Sequence, residues 1–271
     1  MGISIAQAHK LATQPDLIVD YFHRAIEDIA RVHRPSNSPF FERLAHAPRE
    51  VAADPDFLGQ LHLVYQSAMH ATRAAVYYLP WLDSPGLRRR KLQIFIDDDG
   101  LAGGDTHHYQ LTRAFRGIGA RCLLDDEEFG DIDVLCQHLD ETTAEFARLA
   151  RKLYARSLGP WCVVEALSDD WMRALADALS VHFPQITAEA YFAECFQQGV
   201  EERHAAEALA VTAMIVRGRP ELLRPTLRDA ELMGIALDRV WERLDQMVIV
   251  ASAKSRAPRR LRSSESLTTE Y

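Results

Sequence analysis

The stretch from Ala190 to Ile215, AYFAECFQQGVEERHAAEALAVTAMI, constrains this chain more than any other. It reads as one long helix. Steps of four and three residues from Gln197 reach Glu201, His204, Ala208, Val211 and Ile215, which stack along one face. The C-terminal half of that stripe is apolar and has to face a core. Its N-terminal half therefore carries an amide, a carboxylate and an imidazole along the same line. Burying such groups costs several kcal/mol unless something pairs with them. A metal ion is one such partner, because the i, i+3/i+4 spacing lets two helical side chains reach one ion. The plainer reading is a helix whose first half runs out into solvent.

The rest of the chain repeats the helical period. Residues 15–33 open with a proline and place Leu17, Ile18, Phe22, Ile26 and Ile29 at helical spacing. A loop with two prolines follows at 34–39, then a short helix at 40–52. Residues 55–79 form a long helix with a stripe of Leu58, Leu61, Tyr65, Met69, Val76 and Leu79, ended by Pro80. Further helices are expected at 84–100, 107–119, 138–156, 161–183, 187–216 (capped by Thr187) and 226–252. No strand pattern and no internal repeat interrupts them. The fold expected is all-α, a single-domain bundle of roughly eight helices over 1–252. The basic, weakly hydrophobic stretch 253–271 is expected to be a disordered tail. At 271 residues and 48% hydrophobic content, such a bundle can bury a large core.

Several function classes fall away on simple grounds. A formal charge of -8 argues against nucleic acid as a partner. No run of eighteen apolar residues is present, so no membrane span is expected. The opening MGISIAQAHKLATQ has no basic segment followed by an apolar one, so a secretory signal is not expected. Cys122, Cys136, Cys162 and Cys195 are widely spaced and form no CxxC pair. That pattern fits reduced thiols in the cytoplasm and argues against zinc or iron–sulfur binding.

Two further places put ionisable groups where a helix should be apolar. Glu165 is embedded in WCVVEAL, and a carboxylate there is paired, protonated or metal-bound, unless the helix turns it outward. In IDDDGLAGGDTHHYQL, Asp97, Asp98 and Asp99 gather at a helix C-terminus, where they oppose the macrodipole, shortly before His107 and His108. A cation would compensate them; an exposed acidic loop is the alternative. Carboxylates and imidazoles drawn from separate helices are how non-haem di-iron and di-manganese sites are assembled in bundles.

On these residues the chain resembles the haem-oxygenase-like di-iron oxidases. Asp97-Asp98-Asp99-Gly100, His108-Tyr109-Gln110-Leu111 and Gly117-Ile118-Gly119 follow the family pattern in order and spacing. Glu165 resembles its lone buried glutamate, and Gln197, Glu201 and His204 fall on its closing His-x3-Asp-x2-His. The resemblance covers roughly residues 60–215. Three positions depart from it: Asp98 stands for Glu, Gln197 for His and Glu201 for Asp.

The resemblance implies an oxidase or oxygenase that uses dioxygen on a small molecule such as an amino acid or fatty acid derivative. It implies ferrous iron, two ions per chain, with manganese as the alternative metal. Asp98, His108, Glu165, Gln197, Glu201 and His204 would be the ligands, with Glu165, His108 and Glu201 closest to the chemistry and Glu165 able to bridge. The Gln197 departure implies that one metal position is weak. Tyr65, Trp161, Tyr191 and Phe192 are candidate pocket walls, and Arg113 and Arg116 are either substrate-carboxylate partners or surface charges. A homodimer is compatible with this reading. Two alternatives stay open: a metal-free, thiaminase-like or cofactor-synthesis-like relative using the same groups as acid and base, and a helical interaction protein.

Overall fold

A computed structural model describes residues 15–75, 105–123 and 139–256, together with 78, 85, 86, 89, 90, 136 and 137. All regular structure among them is helical: α1 (Pro15–Val32), α2 (Pro39–Ala45), α3 (Arg49–Ala52), α4 (Pro55–Ala75), α5 (His107–Gly117), α6 (Glu141–Tyr154), α7 (Gly159–Ser180), α8 (Ala190–Gln198), α9 (Val200–Gly218) and α10 (Leu223–Arg256). Short 3-10 turns at Pro35–Asn37, Pro184–Ala188 and Pro220–Leu222 join some of them. The expected helix at 84–100 and the tail beyond Arg256 lie outside the described residues. None of the described helices is long and apolar enough to cross a membrane.

The core forms around α7. Its first turns, Trp161-Cys162-Val163-Val164, are buried all round, the mark of a helix enclosed by others. The long α10 and α9 pack along it, while α4 pairs with α6 on the other side of the bundle. Close approach of α7 to α10 depends on Gly159, where an added Cβ would sit 1.9 Å from the Thr226 carbonyl oxygen. A side-chain network around Asp229 ties the same region together. That wholly buried carboxylate accepts from Arg156 at 2.8 Å, Arg228 at 3.1 Å and the Ser157 hydroxyl at 3.2 Å.

The stretch expected to be one long helix is two. Gly199 adopts a left-handed conformation (φ 58°) and separates α8 from α9. Glycine reaches that region without the Cβ penalty that other residues bear. Thr187 is not the cap. It lies in the 3-10 turn, and α8 begins after Glu189 with no side-chain cap bond. The helices expected at 138–156 and 161–183 are present within a few residues of those bounds, and the last helix runs to Arg256.

The interface between α4 and α5 buries a histidine. His62 is fully enclosed, packs on the Phe115 ring and sits 3.1 Å from the Thr112 hydroxyl. That hydroxyl donates to the His108 carbonyl, so it accepts from the His62 ring N–H. Burial, helped by the Arg116 charge, lowers the His62 pKa to about 3.

Two outcomes follow from this packing. Gly159→Ala forces the α7 backbone off α10 and should lower unfolding free energy by about 1–3 kcal/mol in urea titrations; unchanged stability would contradict the close approach. The unfolded chain protonates His62 near pH 6.5 while the folded chain does not. Its contribution is therefore complete above pH 6.5 and is lost as pH falls from there towards 3. About 2 kcal/mol should disappear between pH 7 and pH 5, and His62→Gln should remove that part of the pH dependence.

Candidate metal centre and cavity

Three of the six candidate ligands converge. Glu165 from α7 and Glu201 and His204 from the first two turns of α9 each offer a ligand atom, all within 4.8 Å of one another. The Glu165 carboxylate lies 4.0 Å from His204 Nδ1, too long for a hydrogen bond. Side-chain exposure is 11% for Glu165 and 4% for His204, so neither turns to water. Trp161, one turn back on α7, donates its indole N–H to the other Glu165 oxygen at 2.9 Å and fixes the carboxylate's direction. Glu201, second residue of α9, is buried where the positive end of the helix dipole favours a carboxylate.

These distances suit a small divalent cation. Bonds of about 2.0–2.2 Å put two donors about 3 Å apart at right angles and about 4.2 Å apart across the ion. The Glu165–His204 separation falls inside that range. All three ligand atoms lie within 4.8 Å of one another, close to the wider of those separations. Two carboxylates and one imidazole are a hard-to-borderline donor set, suited to iron or manganese.

The cluster opens onto a cavity of about 100 Å³ lined in part by Glu165, Glu201, Val164, Met172 and Tyr191. Its opposite wall is polar. Gln66, His70 and Arg73 come from α4, and His107 and His108 from α5, whose N-terminus is capped by Thr106 accepting from the Tyr109 N–H. His108 is thus brought to the same cavity, though its ring nitrogens are not in the three-residue group. The Gln66 amide nitrogen makes close hydrogen bonds to His108 Nδ1 and to the His108 carbonyl, the latter at 3.1 Å. Donation to Nδ1 leaves the ring proton on Nε2. For His108 to act as a ligand through Nε2, the amide would have to turn its oxygen to Nδ1.

Two imidazoles of this wall, His70 and His108, are held neutral. Burial lowers His108 to about 3, reinforced by His70, His62 and Arg73; burial and the Arg73 charge lower His70 to about 4. The two rings meet edge-on with centroids 5.5 Å apart. Cys162 lies behind the cluster on α7. Its thiol donates to the Ala208 carbonyl and accepts from the Thr212 hydroxyl, and burial pushes it up to about 12, so it is an inert thiol.

The remaining candidates are distributed differently. Asp98 lies outside the described residues, as does the side chain of Gln197. The break at Gly199 places Gln197 on α8, so the i, i+4 step to Glu201 no longer runs along one helix. Of the expected wall residues only Tyr191 lines the cavity. Trp161 serves Glu165, Tyr65 packs near Trp241, and Phe192 stacks between Tyr191 and Phe196. Arg113 pairs with Asp105 at the surface at 3.1 Å, and Arg116 is exposed. Sequence reasoning missed Gln66, His70, Arg73 and Tyr154. Gln66 and His70 are four residues apart in a helix otherwise rich in buried apolar residues, the same signal that singled out Glu201 and His204.

Protein-family models, curated proteins and solved structures were all compared with this chain, and none matches.

The cavity wall makes a direct spectroscopic statement. The ring-nitrogen resonances of His70 and His108 should stay those of neutral imidazoles from pH 8 down to pH 5. A midpoint near 6.5 for both would contradict their enclosure.

Proposed function

We propose that this chain is a non-haem metal enzyme, an iron-dependent oxidase or oxygenase acting on a small molecule at the cavity between α4, α5, α7 and α9. The observation that supports it best is the meeting of Glu165, Glu201 and His204, of which Glu165 and Glu201 line a cavity. The resemblance of their sequence setting to the haem-oxygenase-like di-iron oxidases points the same way. Glu165, Glu201 and His204 would hold the ion. Iron so held would supply the redox chemistry needed to use dioxygen.

The chain's own residues have separate tasks in this reading. Trp161 restrains Glu165, so the carboxylate keeps its aim without rearranging. Val164, Met172 and Trp171 exclude water from one flank of the cavity, and Arg73 supplies a positive charge for an anionic group on the substrate. His70 and His108, neutral at physiological pH, can donate or accept a hydrogen bond without adding charge. Three convergent donors favour one ion per chain. Two ions would require Asp98 or Gln197 as well.

The same wall supports a second reading, a metal-free enzyme in which Glu165 and the neutral imidazoles move protons on an organic ligand. Metal content separates the two. After anaerobic incubation with ferrous iron and desalting, the protein should retain about one iron per chain, and Glu165→Ala or His204→Ala should retain almost none while staying folded. Iron-loaded protein should then consume dioxygen on exposure to air. A folded wild-type chain that retains neither iron nor manganese overturns the metal reading and leaves the acid–base one.

A further inference from the structure

Tyr154 ends α6 and is wholly buried, with its ring in the wall of the same cavity as Glu165. Its hydroxyl has no hydrogen-bond partner among the described residues. A buried hydroxyl left in that state costs about 1–3 kcal/mol, so such groups in folded proteins are normally satisfied. The surroundings also decide which way it acts. Burial, with the nearby Glu165 and Cys162, pushes the phenol well above its usual pKa, so it keeps its proton. A protonated phenol beside a carboxylate-rich cluster has a hydrogen to give. The cavity that Tyr154 lines is small: about 100 Å³, less than an engineered cavity that takes benzene, about 150 Å³.

We propose that the Tyr154 hydroxyl is the hydrogen-bond donor for a small anionic or oxygen-bearing ligand of a few heavy atoms, bound in the cavity against the Glu165–Glu201–His204 centre. The inference rests on the metal reading above. Tyr154 comes from α6, a different helix from the two that carry the cluster, and lines the same cavity as Glu165 and Glu201. No residue of the sequence pattern predicts this role; an aromatic near a helix end reads as core.

The test uses full-length protein loaded with cobalt(II), whose visible bands report the coordination sphere, and azide as the probe anion. Azide should perturb the cobalt bands of the wild type. Tyr154→Phe, which removes one oxygen and keeps the ring, should bind cobalt as before and weaken azide about 10- to 100-fold, the span of a charge-assisted hydrogen bond. Tyr191→Phe, altering another phenol on the cavity wall, should change azide affinity by less than about 3-fold if the effect belongs to Tyr154. Equal azide affinity in wild type and Tyr154→Phe overturns the inference while the metal centre stands. Cobalt binding without any azide response in the wild type also overturns it. Failure of the wild type to bind cobalt removes the metal reading itself, and the Tyr154 proposal with it.

Discussion

Two carboxylates and an imidazole enclosed between α7 and α9 are the interaction on which the rest of this molecule depends. Apolar packing would favour leucines at all three positions. Carrying Glu165, Glu201 and His204 there instead means forgoing that burial and desolvating charge, a cost of several kcal/mol that only pairing or a cation offsets. The bundle is built so that these groups stay in place. Trp161 fastens one carboxylate, the start of α9 steadies the other, and Gly159 lets α10 lie close enough to hold α7 without room to rotate.

The opposite wall has a different character. α4 and α5 contribute Gln66, His70, Arg73 and His108, and burial keeps both imidazoles uncharged over the physiological range. The cavity therefore has carboxylates from α7 and α9 and, among the described residues that line it, one cationic side chain, Arg73. A neutral imidazole can orient a ligand by hydrogen bonding without competing electrostatically for the carboxylates. The Gln66 amide sets the tautomer of His108 and hence whether that ring serves as donor or as ligand.

Much of the bundle was legible because apolar residues recur at helical spacing: Ile18, Phe22, Ile26 and Ile29 in α1 and the buried run of α7 are found where that period puts them. The break at Gly199 was not, since a single glycine without a proline also occurs inside helices, and only the left-handed backbone reveals it. Glu165 stood out because apolar residues surround it in WCVVEAL, although the sequence alone left open a helix that turns it outward. The opposite wall went unread for a physical reason. Gln66, His70 and Arg73 do recur at helical spacing along α4, but most residues around them are buried as well, so the spacing does not mark out a polar face, and which helix covers it is a tertiary fact. Tyr154 looks the same in sequence as any core aromatic; its hydroxyl matters only through what surrounds it.

The most direct measurement of the central claim is anomalous diffraction from crystals of the protein grown with manganese(II). The account predicts a peak at the Glu165–Glu201–His204 cluster, with one oxygen of each carboxylate and one His204 nitrogen about 2.0–2.3 Å from it. A manganese-bearing crystal with no density there, its Glu165 and His204 side chains held apart by direct protein contacts, would contradict it.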